Sequence, residues 1–267
     1  MLYLLLALCG CLSGVTTLLF GFGGGFVAVP LLYLTLSRLG GAAAEVAMPV
    51  AVATSTLVML AGALQATWRH ARAGHLQWTV LRPLLPGIAV GAALGALLAR
   101  QVAPEALRLA FIAYLLLTIA DCLLRAGFLR QPVVGGQRVP ARRDALLGLG
   151  IGTVASALGV GGSVMSVPLL RRRGLDMTRA TAMASPLTLP VAVVGSLAWM
   201  LPLGSGVPRL GGAYLGYVNL PAFAVLAGSA WLGMRLATPW VGRLGDRWHA
   251  RVYVGLLVLV LLGMLLG

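Results

Sequence analysis

Gly21-Phe22-Gly23-Gly24-Gly25-Phe26-Val27-Ala28-Val29-Pro30-Leu31-Leu32 recurs without a gap as Gly159-Val160-Gly161-Gly162-Ser163-Val164-Met165-Ser166-Val167-Pro168-Leu169-Leu170. The spacing is 138 residues whether measured between prolines (168 − 30) or glycines (161 − 23), and Gly14 and Gly152 extend the register upstream. Both copies interrupt long apolar runs, where a soluble chain rarely places so many glycines and a proline. The pattern predicts two breaks in membrane-embedded helices that face each other across a substrate site.

The composition sets the solvent. Of 267 residues, 60% are hydrophobic and 10% charged, with a mean hydropathy of +0.96, against roughly 25% charged residues in soluble domains. Apolar runs of about 20 residues recur, each long enough for a hydrocarbon core of about 30 Å. No alternating segments of about ten residues point to a β-barrel. The net charge of +14 comes from 20 arginines and no lysine against six acids. Because the arginines flank apolar spans, they are read as orienting the chain and meeting headgroups, and nucleic acid is not expected as a partner. Cys9, Cys11 and Cys122 lie in apolar spans without metal or redox spacing and read as small core residues. The N-terminal segment reads as an uncleaved span, since no basic region precedes Cys9.

Eight hydrophobic blocks follow in order: 2–36, 46–67, 76–99, 106–124, 145–170, 180–201, 218–236 and 251–267. A polar linker, 125–143, divides them into a first membrane repeat (1–124) and a second (144–267). Further matches support an internal duplication. Ala53-Thr54-Ser55-Thr56-Leu57 resembles Met183-Ala184-Ser185-Pro186-Leu187, Leu94-Gly95 matches Leu232-Gly233, and Arg108 matches Arg251. If all eight blocks simply crossed, the two faces would hold 9 and 11 arginines. If each glycine-broken block instead enters and returns as a hairpin, 16 of the 20 share one face, leaving Arg38, Arg100, Arg108 and Arg209 opposite. The positive-inside rule selects the hairpins. The expected fold is an all-α polytopic membrane protein with two inverted repeats, each a glycine-broken re-entrant hairpin followed by three transmembrane helices.

Broken backbone at membrane depth is tolerated only where protein or a wet cavity surrounds it. Glycine permits the break, and a proline a few residues on suits the first turns of the new helix. The free N–H groups and dipole of that helix attract anions, by about 0.3–1 kcal/mol when exposed and up to about 2 when partly buried. Paired broken helices in inverted halves are a recurrent way to build a midplane transport site. Candidate binding residues are therefore Gly23, Gly24, Gly25, Pro30, Gly161, Gly162, Ser163 and Pro168, with Ser163 able to cap its helix. Thr54 and Ser55 in the second block and Ser185 in the sixth are added as hydrogen-bond donors, with Thr56 and Thr188 beside them. The competing readings are close helix packing for the glycines, as at Gly91-Ala92-Ala93-Leu94-Gly95, and self-bonding to the backbone for the hydroxyls. A nucleotide loop is excluded, since a Walker-type lysine is missing.

Ionisable groups at depth are sparse. Asp121 is expected to pair with Arg125, Glu45 and Asp176 to sit at helix starts, and His70, His75 and His249 to lie at the interface. No metal cluster or Ser–His or Cys–His arrangement is visible, so neither an enzyme nor a cofactor is expected.

The doubled stretch, with Ala53-Thr54-Ser55 and Gly74-His75-Leu76, resembles the sulfite exporter TauE/SafE family over essentially the whole chain. That resemblance implies a permease of the bacterial inner membrane for small sulfur-containing anions such as sulfite or sulfonates. The second half departs from the family pattern at Ala184-Ser185-Pro186, where a Gly-Thr-Ser-like run is usual. The expected partners are a small anionic solute and the lipid bilayer, with proton coupling and homo-oligomerisation left open. The alternative class is a non-transporting membrane scaffold that uses its glycines for packing.

Overall fold

The computed structural model describes residues 2–39, 46–99, 101–124, 128, 141–201 and 213–265. Ten principal helices form in these segments. The first five are α1 (Leu2–Phe20), α2 (Gly25–Leu39), α3 (Ala47–Arg72), α4 (Leu85–Ala99) and α5 (Pro104–Leu124). The second five are α6 (Ala141–Leu158), α7 (Ser163–Arg172), α8 (Met177–Met200), α9 (Leu220–Ala237) and α10 (Asp246–Leu265). Six of them, α1, α3, α5, α8, α9 and α10, are long and apolar enough to cross a membrane.

Local chemistry fixes the ends. Asp176 caps α8 by accepting the Arg179 N–H at 2.7 Å, and Asn219 caps α9 by accepting from Ala222 at 3.0 Å. Glu105 sits in the first turn of α5, and Arg69 and Arg72 in the last turn of α3, each sign where the helix dipole favours it. The block 76–99 is not one helix. A single turn at Trp78–Leu81 precedes α4, with Pro83 between them. Helix α6 begins at Ala141, so Arg142 and Arg143 belong to it and not to the linker.

Both glycine breaks reverse the chain. The Ser13 hydroxyl in α1 donates to the Gly24 carbonyl at 2.8 Å, and Leu6 shares a buried cluster with Ala28 and Leu32. Helix α2 thus returns alongside α1. In the second half Arg173, just past α7, pairs with Asp144 in the first turn of α6, so α7 returns toward the start of α6.

Packing between the halves is reciprocal. Helix α1 lies on α9, and α6 lies on α4, so the first helix of each half meets the fourth of the other. Both contacts are made through glycine: a Cβ at Gly14 would strike the Ala230 backbone, and one at Gly152 the Ile88 backbone. Gly91 and Gly95 likewise face the backbone of Leu149 and Thr153, as close packing predicts. Helix α3 crosses α8, and α5 meets α10, so equivalent elements face each other in the middle. The central pair is α3 and α8, with 72% of each span buried, against 33–44% for the other four. The outer helices present leucine outward, including Leu109, Leu116 and Leu117 of α5.

Among the described residues, one end of the bundle carries most of the arginines together with exposed tryptophans. Arg72 lies 3.9 Å over the Trp68 ring and Arg235 5.2 Å over Trp231. This is the interfacial placement that amphipathic rings and snorkelling cations favour.

Candidate functional site

The two breaks meet at the centre of the bundle. Gly23 and Gly24 adopt φ of +69° and +83°, and Gly159 adopts +65°, a region where a side chain is strained. A Cβ at Gly25 would sit 2.6 Å from the Gly159 carbonyl oxygen, so glycine is required there for lack of space. Thr188 of α8 touches both breaks, its Cγ2 lying 3.0 Å from the Cβ position of Gly23 and 3.0 Å from that of Gly161. Met59 of α3 packs on Gly23 and Gly25, and Ser55 Oγ reaches the Gly159 carbonyl at 3.4 Å.

The new helices leave amides unpaired within themselves. The first turn of α2 closes with Ala28 N–H donating to Gly24, and that of α7 with Ser166 N–H donating to Gly162 at 2.9 Å. The amides of residues 25–27 and 163–165 precede those turns and have no carbonyl one turn back. Two helix starts with positive partial charge therefore lie together in a buried, polar-lined centre.

The expected hydroxyl residues are engaged in different ways. Thr54 accepts the Asn219 N–H at 2.9 Å and serves the start of α9. Ser163 does not cap α7: Gly162 occupies the cap position without a side-chain hydrogen bond, and Ser163 Oγ lies 3.5 Å from the Gly161 carbonyl. Ser185 is buried with its hydroxyl unpartnered. Ser55, Thr56 and Thr188 each bond a carbonyl one turn back, at 2.6–2.9 Å, and of these hydroxyls only that of Ser55 adds a hydrogen bond to a break. Pro30 and Pro168 stand at the sixth position of α2 and α7, inside the helices. Pro168 lacks the N–H that would bond the Val164 carbonyl, and the Tyr253 hydroxyl donates there instead at 3.3 Å. That role for Tyr253 has no signature in the sequence, because α10 carries no match to either motif.

The histidines stand at helix ends, as expected, but His70 and His249 are buried between helices, 2% and 3% exposed. Their Nε2 atoms lie 3.1 Å from the Leu18 carbonyl and 2.7 Å from the Leu19 carbonyl. Both oxygens belong to the last turn of α1, where helix carbonyls lack partners, so α3 and α10 together cap the broken helix.

The run Arg171-Arg172-Arg173 closes the arginine-rich end. Arg171, with 1% of its side chain exposed, makes a bidentate pair with Asp246 of α10 at 2.9 Å and donates to the Phe128 carbonyl at 2.8 Å. Arg172 pairs with Asp121 of α5, and Arg173 with Asp144 of α6. Asp121 thus reaches across to Arg172; Arg125, its expected partner, and Glu45 lie outside the described residues. Three of the chain's six acids are engaged by three consecutive arginines. At the opposite end a cavity of about 590 Å³ opens between the end of α2 and the starts of α3 and α5, bordered by Tyr33, Ser37, Glu105 and Arg108.

The family profile described as "Sulfite exporter TauE/SafE" matches residues 6–264. The chain belongs to the sulfite exporter TauE/SafE family. It is similar to a probable membrane transporter protein of Haemophilus influenzae, 25% identical over 263 residues that cover 98% of each chain. It is also similar to a probable membrane transporter protein of Methanocaldococcus jannaschii, 24% identical over 225 residues, or 84% of this chain and 80% of that one. No solved structure matches it. This TauE/SafE protein is a multi-pass membrane transporter. No group of three or more potential metal ligands occurs among its described residues.

Proposed function

We propose that this TauE/SafE protein is a secondary transporter of a small anion, sulfite, a sulfonate or a related organosulfur compound, in the bacterial inner membrane. The supporting observation is the contact between the two breaks, with Gly25 against Gly159 and Thr188 touching Gly23 and Gly161. In this reading the amides of residues 25–27 and 163–165 bind the oxyanion, as helix starts do. A tetrahedral or pyramidal oxyanion offers several acceptor oxygens to two converging sets of donors, which a monovalent halide would use less well. The two repeats are taken as inverted, with the arginine-rich face cytoplasmic.

In this reading access to the site alternates between two ends that differ. The cavity beside Arg108 gives the anion an entry, and the Arg171–Asp246 pair bars the other side in this state. Inward opening requires α7 to part from α10. In this reading a proton is the coupling ion.

Transport into vesicles of sulfite, sulfate, thiosulfate and short sulfonates tests this reading. Gly24→Leu and Gly162→Leu should abolish uptake while membrane insertion persists. Unchanged uptake by both variants would overturn the site. A purified protein whose melting temperature ignores every one of these anions would favour the scaffold alternative.

A further inference from the structure

A second cavity, separate from the glycine breaks, runs along the outside of the second hairpin. It encloses about 890 Å³ between α5 on one side and α6 and α7 on the other. Its buried floor includes Tyr114, Ile151, Leu158 and Val164, and its exposed lining combines small residues, Ala110, Ala113 and Gly150, with Leu117, Leu146 and Leu147. An open apolar groove on a membrane protein faces hydrocarbon, so the question is which lipid it holds.

Length and charge answer together. The groove follows α5 from Ala110 to Asp121, eleven residues or about 16 Å of helix. One leaflet of hydrocarbon is about 15 Å, half of a core of about 30 Å. The groove ends at the arginine-rich face, where Asp121 and Arg172 line it. Arg142 and Arg143 are exposed one turn before Leu146 and Leu147. Arg173 and Asp144 pair beside them. Among the described residues four arginines, Arg142, Arg143, Arg172 and Arg173, stand against two carboxylates, Asp121 and Asp144, at this mouth, a surplus of two positive charges.

We propose that the groove between α5 and the second hairpin is a binding site for an anionic phospholipid. One acyl chain fills the apolar cleft, and the phosphate and headgroup meet Arg142, Arg143 and Arg172. Because Val164, Met165 and Pro168 of α7 line the same cleft, the lipid wedges directly against the broken helix and supports its position.

The test compares phosphatidylglycerol with phosphatidylcholine of identical chains, added to the detergent-purified protein. Bound lipid is counted by native mass spectrometry, and the melting temperature is followed. Phosphatidylglycerol should bind at least ten-fold more tightly. Arg142→Gln and Arg143→Gln should each weaken it about five-fold, since a basic residue at an anionic surface contributes about 1 kcal/mol, and should leave phosphatidylcholine unaffected. Gly150→Leu should weaken both lipids, because a Cβ at Gly150 meets nothing within 4 Å and the side chain grows into the cleft. Equal binding of the two lipids overturns the proposal. So does undiminished phosphatidylglycerol binding by Gly150→Leu, or a lipid-independent dimer that Gly150→Leu dissociates, which would make a second copy of the chain the occupant.

Discussion

The two hairpins share a motif and differ in how they end. Both break at glycine, both carry proline at the sixth position of the returning helix, and both lean on the helix pair α3 and α8. The register that superposes the breaks puts Tyr33, Leu34 and Thr35 where the second half has Arg171, Arg172 and Arg173. At the first hairpin's end Arg108 lies 5.3 Å over the Tyr33 ring. At the second, three ion pairs tie α7 to α5, α6 and α10. A cation over a ring contributes about 0.5–1 kcal/mol at an exposed site, far less than it costs to break a buried bidentate pair. Symmetric breaks therefore sit between ends that differ among the described residues, the second being held by three ion pairs.

The largest effect should come from removing that asymmetry. Asp246→Asn leaves Arg171 buried against an uncharged partner, and breaking such a pair costs about 3–5 kcal/mol. The variant should melt markedly earlier and label more readily at cysteines placed near Phe128. Unaltered melting and labelling would show that the pair does not hold α7 to α10. An equivalent change at Arg108, to Gln, should alter stability by about 1 kcal/mol or less.

A smaller effect should separate the prolines. Tyr253→Phe removes the donor to the Val164 carbonyl and should cost about 0.6 kcal/mol, the mean for side-chain hydrogen bonds between membrane helices. In a Pro168→Ala background the helix regains its own donor, and the same substitution should then cost nothing. A double-mutant cycle with no coupling energy would remove Tyr253 from this role. The smallest effect is expected for Ser163→Ala. Its hydroxyl caps nothing, so stability should stay within about 0.5 kcal/mol, whereas a working cap would cost about 1.

The residues of the two breaks were legible because glycine and proline act through backbone geometry, which depends on little beyond the local chain. Membrane residence was legible for a similar reason, since composition follows solvent. The hydroxyl residues were not. Thr54, Ser55 and Thr56 are consecutive, yet one serves α9, one touches Gly159 and one bonds its own turn. A helix turns 100° per residue, so neighbours in sequence face different partners. Asp121 and Arg172 are 51 residues apart, and no spacing rule within one helix could have joined them.

By itself, the sequence determined that this chain lives in a bilayer, that its two halves carry matched breaks, and which residues permit them. Only the tertiary structure decided that Gly25 abuts Gly159, that Thr188 joins both breaks, and that His70 and His249 cap the end of α1. The physical reason is that conformational freedom and solvent preference belong to single residues. Contacts across a helical bundle belong to pairs that the fold alone brings together.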